Sequence, residues 1–135
     1  MKELINFIIG DYSGDGHGKA ETFTLEIEHN CSDIEKRLEE NEQKLLNEYD
    51  IDLSSWFAEY ENYKLPKEEV EKLNKLKINY QQDNLNNNGE LRFYLAEDYL
   101  DIWIQLMHFV DKDIKINKAN VKTYFGSCTG YGLYE

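Results

Sequence analysis

The feature that most constrains this chain is the change in its apolar periodicity, from strand-like at the start to helical in the middle and back to strand-like. Residues 4–9 are nearly all apolar, whereas Thr22–His29 alternates between apolar and polar side chains. A short apolar run is typical of a strand covered on both faces, and alternation is typical of a half-buried strand. We therefore predict a β-hairpin over residues 1–31.

Capping and spacing signals predict helices in the middle of the chain. Ser32 and Glu35 have the spacing of a capping box, so a helix should begin at Ser32 and run to about Tyr49. Aromatic residues over 56–63 indicate a second helical stretch, and Pro66 suits the first turn of a third. Together these stretches predict an acidic helical insert over residues 32–80.

The longest helical pattern covers residues 90–110, after a polar loop over residues 81–89. We predict a core helix over 90–110 and, within residues 112–135, C-terminal strands at 114–116 and 121–125. Strands on both sides of the helices are typical of an α+β fold. The expected architecture is an antiparallel sheet of about four to five strands from both termini, packed on the long core helix.

Size and charge restrict the classes of function. The 135 residues carry 15 basic and 27 acidic side chains, for a formal net charge of -12. A chain of this length fits a single domain, 1–135, that buries a core without a metal or disulfide staple, so we expect no cofactor. The negative charge repels phosphate backbones and anionic lipids, so we expect neither a nucleic acid nor a membrane as a partner. A basic protein is the partner that this charge favours.

Apolar runs and cysteines bear on the compartment. No apolar run near the start reaches the length of a membrane span or a signal-peptide core, so we expect a cytoplasmic protein. Cys31 and Cys128 are far apart in sequence, and in a reducing compartment such a pair is expected to stay as free thiols.

Residues 10–19 are rich in Gly and in short polar side chains, and they suit several kinds of ligand. Asp11, Ser13 and Asp15 resemble the start of a calcium loop, but position twelve is Thr22 and not a bidentate carboxylate. A tight hairpin whose Asp side chains cap backbone N–H groups is the simpler interpretation. The alternative is an anion or small-ligand site between this loop and the Gly- and Tyr-rich tail, which would add four further residues: His17, Lys19, Tyr124 and Tyr131.

No arrangement of residues predicts catalysis. Residues 126–130 match the G-x-nucleophile-x-G pattern with Cys128 as the nucleophile, but an elbow needs a helix directly after it and the following residues are rich in Gly and Tyr. His29 and Cys31 supply only two of the four ligands of a structural zinc site. We therefore predict no catalytic or metal-binding residues, and a protein that is not an enzyme.

A row of polar side chains runs along the predicted core helix at positions four or three apart. We interpret it as the solvent-facing side of an amphipathic helix. Its members are Glu97, Asp101, Gln105 and His108.

The acidic insert is the predicted docking surface. Residues 32–72 hold 13 acidic and six basic side chains, and Glu35, Glu39 and Glu42 share one helical face. This small, acidic, Tyr-rich composition is similar in kind to that of toxin-immunity and phage-encoded inhibitor proteins, which implies a binding protein that docks on a basic surface of another protein. The sequence is also compatible with a homo-oligomer, since a terminal strand rich in Tyr and Gly offers an edge that can pair with a second copy of the chain.

Overall fold

The computed structural model describes residues 1–11, 19–53, 64–119 and 132–134 of the chain. Within these ranges the fold is mixed α and β, which confirms the predicted class. The predicted helical stretch at 56–63 and the predicted strand at 121–125 lie outside the described residues. The strands are β1 (Lys2–Asp11), β2 (Lys19–Glu28), β3 (Lys64–Leu65), β4 (Leu91–Arg92), β5 (Lys115–Lys118) and β6 (Gly132–Tyr134), and the helices are α1 (Ile34–Tyr49), α2 (Lys67–Lys75) and α3 (Ala96–Val110), with a 3₁₀ turn at Gln82–Asn84.

The described strands form a sheet of order β5-β2-β1-β6 and a separate pair, β3-β4. β1 and β2 pair antiparallel over their whole lengths, from Lys2 opposite Glu28 to Asp11 opposite Lys19. β5 pairs antiparallel with β2, and β6 pairs antiparallel with β1. The hairpin therefore occupies the centre of the sheet, with later strands on both of its sides.

The core lies between the sheet and the helices. Alternate residues of the hairpin are buried, as period-two strands require: Ile5, Phe7, Leu25 and Ile27. The ring of Phe7 meets that of Trp103 from α3 at a centroid distance of 4.5 Å and an interplanar angle of 49°. Nearer the end of α3, the rings of Tyr49 and Phe109 pack edge to face at 5.3 Å. α3 thus contacts both the sheet and α1.

The start of α1 differs from the predicted capping box. Asp33, one residue after Ser32, is the N-cap, and its Oδ1 atom accepts a hydrogen bond of 3.1 Å from the backbone N–H of Lys36. Asp33 has the extended backbone that an N-cap requires, with φ -142° and ψ 96°. Ser and Asp are both favoured at the N-cap, and the two are adjacent here, which explains the error of one residue. The helix ends at Tyr49, and Asp50 follows with φ 58°.

The predicted helix over 90–110 is wrong in its first six residues, since α3 begins at Ala96. Leu91 and Arg92 instead form β4 and pair with β3. The backbone is extended at Leu95, whose N–H donates to Asp98 Oδ2 at 3.3 Å. Phe93, just before this cap, is buried and stacks on Tyr99 at 3.8 Å. Leu91 and Phe93 are both buried, at the two-residue spacing of an extended segment. The prediction was wrong because Leu91 also lies four residues before Leu95, which fits a helix.

Two smaller differences follow. The strand predicted at 114–116 is β5, Lys115–Lys118.

The predicted polar loop at 81–89 contains the 3₁₀ turn. Asn86 stabilises the end of this loop, because its Oδ1 accepts hydrogen bonds from the N–H groups of Asn88 at 2.8 Å and Glu90 at 3.0 Å. Gly89 within it has φ 81°, a conformation that favours glycine.

Candidate functional site

A cavity of about 500 Å³ lies between α3, β5 and the segment 79–84. Its walls combine apolar side chains with carboxamide and carboxylate groups. The apolar part consists of Leu91, Phe93, Ile102, Ile104 and Ile116.

α3 supplies one whole wall of the cavity. Asp98, Asp101, Ile102 and Gln105 recur at the spacing of three and four residues that places side chains on one helical face. The sequence interpretation of this face as simply solvent-exposed is therefore incomplete, because the same face bounds the cavity.

The side-chain amide of Gln105 holds the opposite wall in place. Its Nε2 atom donates to the carbonyl oxygen of Asn79 at 2.8 Å, and its Oε1 atom accepts from the N–H of Asn79 at 2.8 Å. Asn84, further along the same segment, donates from Nδ2 to Asp98 Oδ2 at 3.2 Å. Three hydrogen bonds with two side chains of α3, Gln105 and Asp98, therefore fix the segment 79–84.

At the mouth of the cavity, the ammonium group of Lys118 bridges two carboxylates of α3. Its Nζ atom lies 2.5 Å from Glu97 Oε2 and 2.8 Å from Asp101 Oδ1. Burial alone would lower the pKa of Lys118, but the hydrogen bonds and charges of Asp101 and Glu97 outweigh it and raise that pKa. Lys118 therefore carries its charge at neutral pH.

The remaining members of the predicted polar row are also engaged. His108 Nε2 accepts a hydrogen bond of 3.0 Å from the N–H of Ile116, which ties the end of α3 to β5. Burial, together with the nearby Lys112 and Lys115, lowers the pKa of His108. All four residues of the row, Glu97, Asp101, Gln105 and His108, therefore contact another part of the fold.

The three predicted docking residues of α1 differ in environment. Glu39 is exposed, whereas Glu35 and Glu42 are half-buried. Glu42 Oε2 accepts a hydrogen bond of 2.9 Å from Trp103 Nε1. Burial raises the pKa of Glu42, and the Trp103 hydrogen bond opposes that rise. Glu42 therefore supports the packing of α1 on α3 as well as adding charge.

The predicted loop-and-tail site falls mostly outside the described residues. The backbones of Asp11 and Lys19 lie opposite each other at the end of the β1–β2 register, and the chain between them is not described. Cys128 lies in the same undescribed part of the chain. The residues of the predicted site that also lie there are Ser13, Asp15, His17, Tyr124 and Tyr131.

His29 and Cys31 make local contacts. The N–H of Cys31 donates to His29 Nδ1 at 3.0 Å, and His29 Nε2 lies 2.9 Å from Glu3 Oε1. Both ring nitrogens of His29 are therefore engaged. Among the described residues, no group of three or more His, Cys, Asp or Glu side chains is arranged to hold a metal ion.

Comparisons with known proteins assign no family: no protein-family model matches the chain, and neither a curated protein nor a solved structure shows significant similarity to it. Among the described helices, none combines the length and the apolar character needed to cross a membrane.

Sequence reasoning missed the cavity altogether. The residues that form it come from segments that are distant in sequence, and Asn79, Asn84 and Asn117 sit in polar stretches typical of surface loops. The one signal of the cavity in the sequence was the polar row on α3. Its spacing is the same as that of an ordinary solvent-exposed helical face, so it did not indicate a cavity.

Proposed function

We propose that this protein is a non-enzymatic binding protein that takes a small organic molecule into the cavity beside α3. The observation that carries the proposal is the cavity itself, about 500 Å³ with an apolar wall and a rim of polar side chains. Ligand pockets in proteins typically measure about 300–1,000 Å³ and combine these two kinds of surface.

The cavity is held open by contacts within the protein. Gln105 fixes Asn79, and Asp98 fixes Asn84, so the wall opposite α3 is positioned before any ligand arrives. A preformed site avoids the free energy of ordering a loop on binding. This geometry suits reversible binding of a small molecule.

The polar groups of the described lining suit recognition. They are carboxamides, two carboxylates, a phenol and one ammonium group, placed around the apolar wall. Such groups orient a ligand through hydrogen bonds, while the apolar wall supplies affinity.

A fluorescent apolar probe, N-phenyl-1-naphthylamine, tests this proposal. We expect saturable binding with one site per chain, seen as a rise in probe emission. Ile104→Trp, which places a larger side chain in the cavity, should weaken probe binding at least tenfold. Leu46→Trp is the matched control, because Leu46 is exposed on α1 and does not line the cavity, and this variant should bind the probe as the wild type does.

Circular dichroism and urea unfolding establish that both Trp variants are folded. Probe binding that does not saturate, or that Ile104→Trp leaves unchanged, would overturn the proposal.

A second candidate function is docking on a basic surface of another protein, in the manner of an immunity protein or an inhibitor. It is favoured by the surface of α1, where Glu39 and Glu40 are both exposed. Two of the cations of this region are occupied within the protein: Arg37 pairs with Asp111, and Lys72 pairs with Glu69. α1 carries five Glu side chains against three cations, Lys36, Arg37 and Lys44, so its net charge is negative and suits a basic partner.

Charge reversal tests this second candidate. Capture from the host lysate with the wild type should retain a stoichiometric basic protein, and the double variant Glu39→Lys, Glu40→Lys should lose it. Glu71→Lys, an exposed change on α2, is the control. Retention of the same protein by the double variant would exclude docking through α1. Glu42 is left unchanged because its carboxylate accepts the Trp103 hydrogen bond.

A further inference from the structure

We propose that the ligand of the cavity is an organic ammonium compound, with a protonated amine at the cavity mouth and an apolar body against the wall of Ile and Phe side chains. The inference rests on the proposed function and adds the chemical class of the ligand.

Charge at the mouth favours a cation. Asp98 and Asp101 line the cavity, and Glu97, which does not line it, pairs with Lys118 beside them. Among the described lining residues Lys118 is the one cation. The local excess is therefore negative. Partly buried charges interact more strongly than exposed ones because water screens them less.

Lys118 demonstrates that an ammonium group fits this position. Its Nζ atom reaches Glu97 and Asp101 together, at 2.5 Å and 2.8 Å. These are short, charge-assisted hydrogen bonds. The protein thus already places one ammonium group at the mouth of the cavity, tethered to β5.

Asp98 is the acceptor left for a second ammonium group. It is half-buried and lines the cavity, three residues before Asp101 on the same helical face. Its Oδ2 atom accepts hydrogen bonds from two uncharged donors, Asn84 Nδ2 and the N–H of Leu95. Within the described ranges, Oδ1 of Asp98 receives no hydrogen bond and no cation pairs with this carboxylate.

The apolar wall determines the rest of the ligand. Half-buried Ile104 presents apolar surface that a bare cation or a fully polar amine would leave uncovered. The side chains behind it are almost fully buried and form the floor of the cavity: Leu91, Phe93, Ile102 and Ile116. Burial of an apolar body there contributes about 25 cal/mol per Å². An aromatic or aliphatic amine uses both features, whereas a carboxylic acid of the same shape meets repulsion from Asp98 and Asp101.

Three naphthalene compounds of the same shape test the charge preference: 1-naphthylmethylamine, 1-naphthalenemethanol and 1-naphthoate. Their affinities are measured by displacement of N-phenyl-1-naphthylamine at neutral pH. We expect the amine to bind at least tenfold more tightly than the alcohol, and the carboxylate to bind most weakly. Raising the salt concentration should reduce the difference in affinity between the amine and the alcohol, because salt screens the charge interaction.

Two variants locate the ammonium group. Asp98→Asn keeps an oxygen acceptor for Leu95 and Asn84, so we expect it to weaken amine binding about tenfold and to leave alcohol binding unchanged, as a lost charge pair of about 1.4 kcal/mol would do. Asp83→Asn, an exposed change in the 3₁₀ turn, is the matched control. Lys118→Gln removes the internal ammonium group and should tighten amine binding, whereas Lys118→Arg should not.

The outcomes separate the two proposals. If the probe binds in the cavity but the alcohol matches the amine, or Asp98→Asn weakens both equally, the ammonium inference is overturned and the binding function stands. If the probe does not bind in the cavity, the proposed function fails and the inference fails with it.

Discussion

The guanidinium group of Arg37 and the carboxylate of Asp111 are joined by two hydrogen bonds, 2.7 Å from Nε to Oδ2 and 3.0 Å from Nη2 to Oδ1. Asp111 is almost fully buried and also accepts hydrogen bonds from Asn41 Nδ2 at 2.9 Å and from the N–H of Asp113 at 3.0 Å. This bidentate pair joins the first two turns of α1 to the residue that follows α3. Together with the hydrogen bond from Trp103 to Glu42, it links α1 to α3 and its C-terminal end.

Removal of the guanidinium group should destabilise the fold. In Arg37→Ala the buried carboxylate loses its charged partner, and we expect the free energy of unfolding to fall by about 2–3 kcal/mol, less than for a fully buried pair because Arg37 is partly exposed. Urea denaturation measures the change. Lys36→Ala, an exposed neighbour on α1, should change stability by less than about 0.5 kcal/mol. Equal effects of the two changes would contradict this role for Arg37.

Acid should weaken the same connection. Burial by itself would raise the pKa of Asp111, but hydrogen bonds from Arg37, Asn41 and the N–H of Asp113 outweigh it and hold that pKa below the ordinary value of 3.8. The stabilisation by Asp111 is therefore complete above pH 3.8 and is lost as the pH falls through the lower folded-state pKa.

Asp111→Asn provides the comparison for this pH dependence. The difference in unfolding free energy between wild type and variant should shrink as the pH falls below 3.8. Urea unfolding from neutral pH into the acid range measures it. A difference that stays constant over that range would show that the ionisation of Asp111 does not contribute.

Protonation of His108 should loosen β5. The Nε2 atom that accepts the Ile116 N–H must be unprotonated, and burial with the charges of Lys112 and Lys115 lowers the pKa of His108 below 6.5. This stabilisation is present above pH 6.5 and is lost as the pH falls through the folded-state pKa. NMR titration should show His108 titrating below its ordinary value, with faster amide exchange at Ile116 in step with it.

His108→Gln is the matched variant, because its amide oxygen accepts the same hydrogen bond at every pH. In that variant the amide hydrogen exchange rate of Ile116, corrected for the intrinsic rate, should no longer depend on pH over the range in which His108 titrates. Persistence of the pH dependence would assign it to another group.

Replacement of Glu42 by its amide should stabilise the protein at neutral pH. Burial raises the pKa of Glu42 above 4.5, so the stabilising contribution of its acid form is lost as the pH rises through the folded-state value. Glu42→Gln keeps an oxygen acceptor for Trp103 without the buried charge, and we expect a gain of roughly 1 kcal/mol in unfolding free energy. Glu39→Gln, exposed on the same helix, is the control for a general loss of negative charge.

Loss of the Gln105 amide should release the cavity wall. Gln105→Leu removes both hydrogen bonds to Asn79, so amide exchange at Asn79 should accelerate and probe affinity should fall. Gln105→Glu keeps the acceptor for the Asn79 N–H and loses the donor to its carbonyl, so an intermediate effect is expected. Unchanged exchange at Asn79 in Gln105→Leu would show that other contacts hold this wall.

The fold class was predictable because periodicity is a local property. The alternation in β2 and the apolar stripe of α1, with Ile34, Leu38 and Leu45 buried, can both be recognised within a single stretch of sequence. The boundaries of the helices and strands were harder to predict from the sequence. Leu91, Leu95 and Tyr99 recur every four residues, which is helical spacing. Only the pairing of Leu91 with β3 and the stacking of Phe93 on Tyr99 show that residues 91–93 belong to an extended segment.

The candidate site could not be predicted in the same way. It depends on a side chain from α3 reaching the backbone of Asn79, and on Lys118 meeting Glu97 and Asp101 across the cavity mouth. Such contacts join residues more than a dozen positions apart, and neither composition nor periodicity encodes them. The sequence shows that acidic and amide side chains are present, but it does not show that they lie close together in the fold.

The strand order has a consequence for the newly made chain. Because β5 and β6 flank the central hairpin and follow it in sequence, β1 and β2 leave the ribosome before either of their outer neighbours. During that interval a lone hairpin is marginally stable, and both of its edges expose unpaired N–H and C=O groups. Synthesis is therefore the stage at which pairing between separate copies competes most strongly with folding, and slower completion of the chain should increase aggregation.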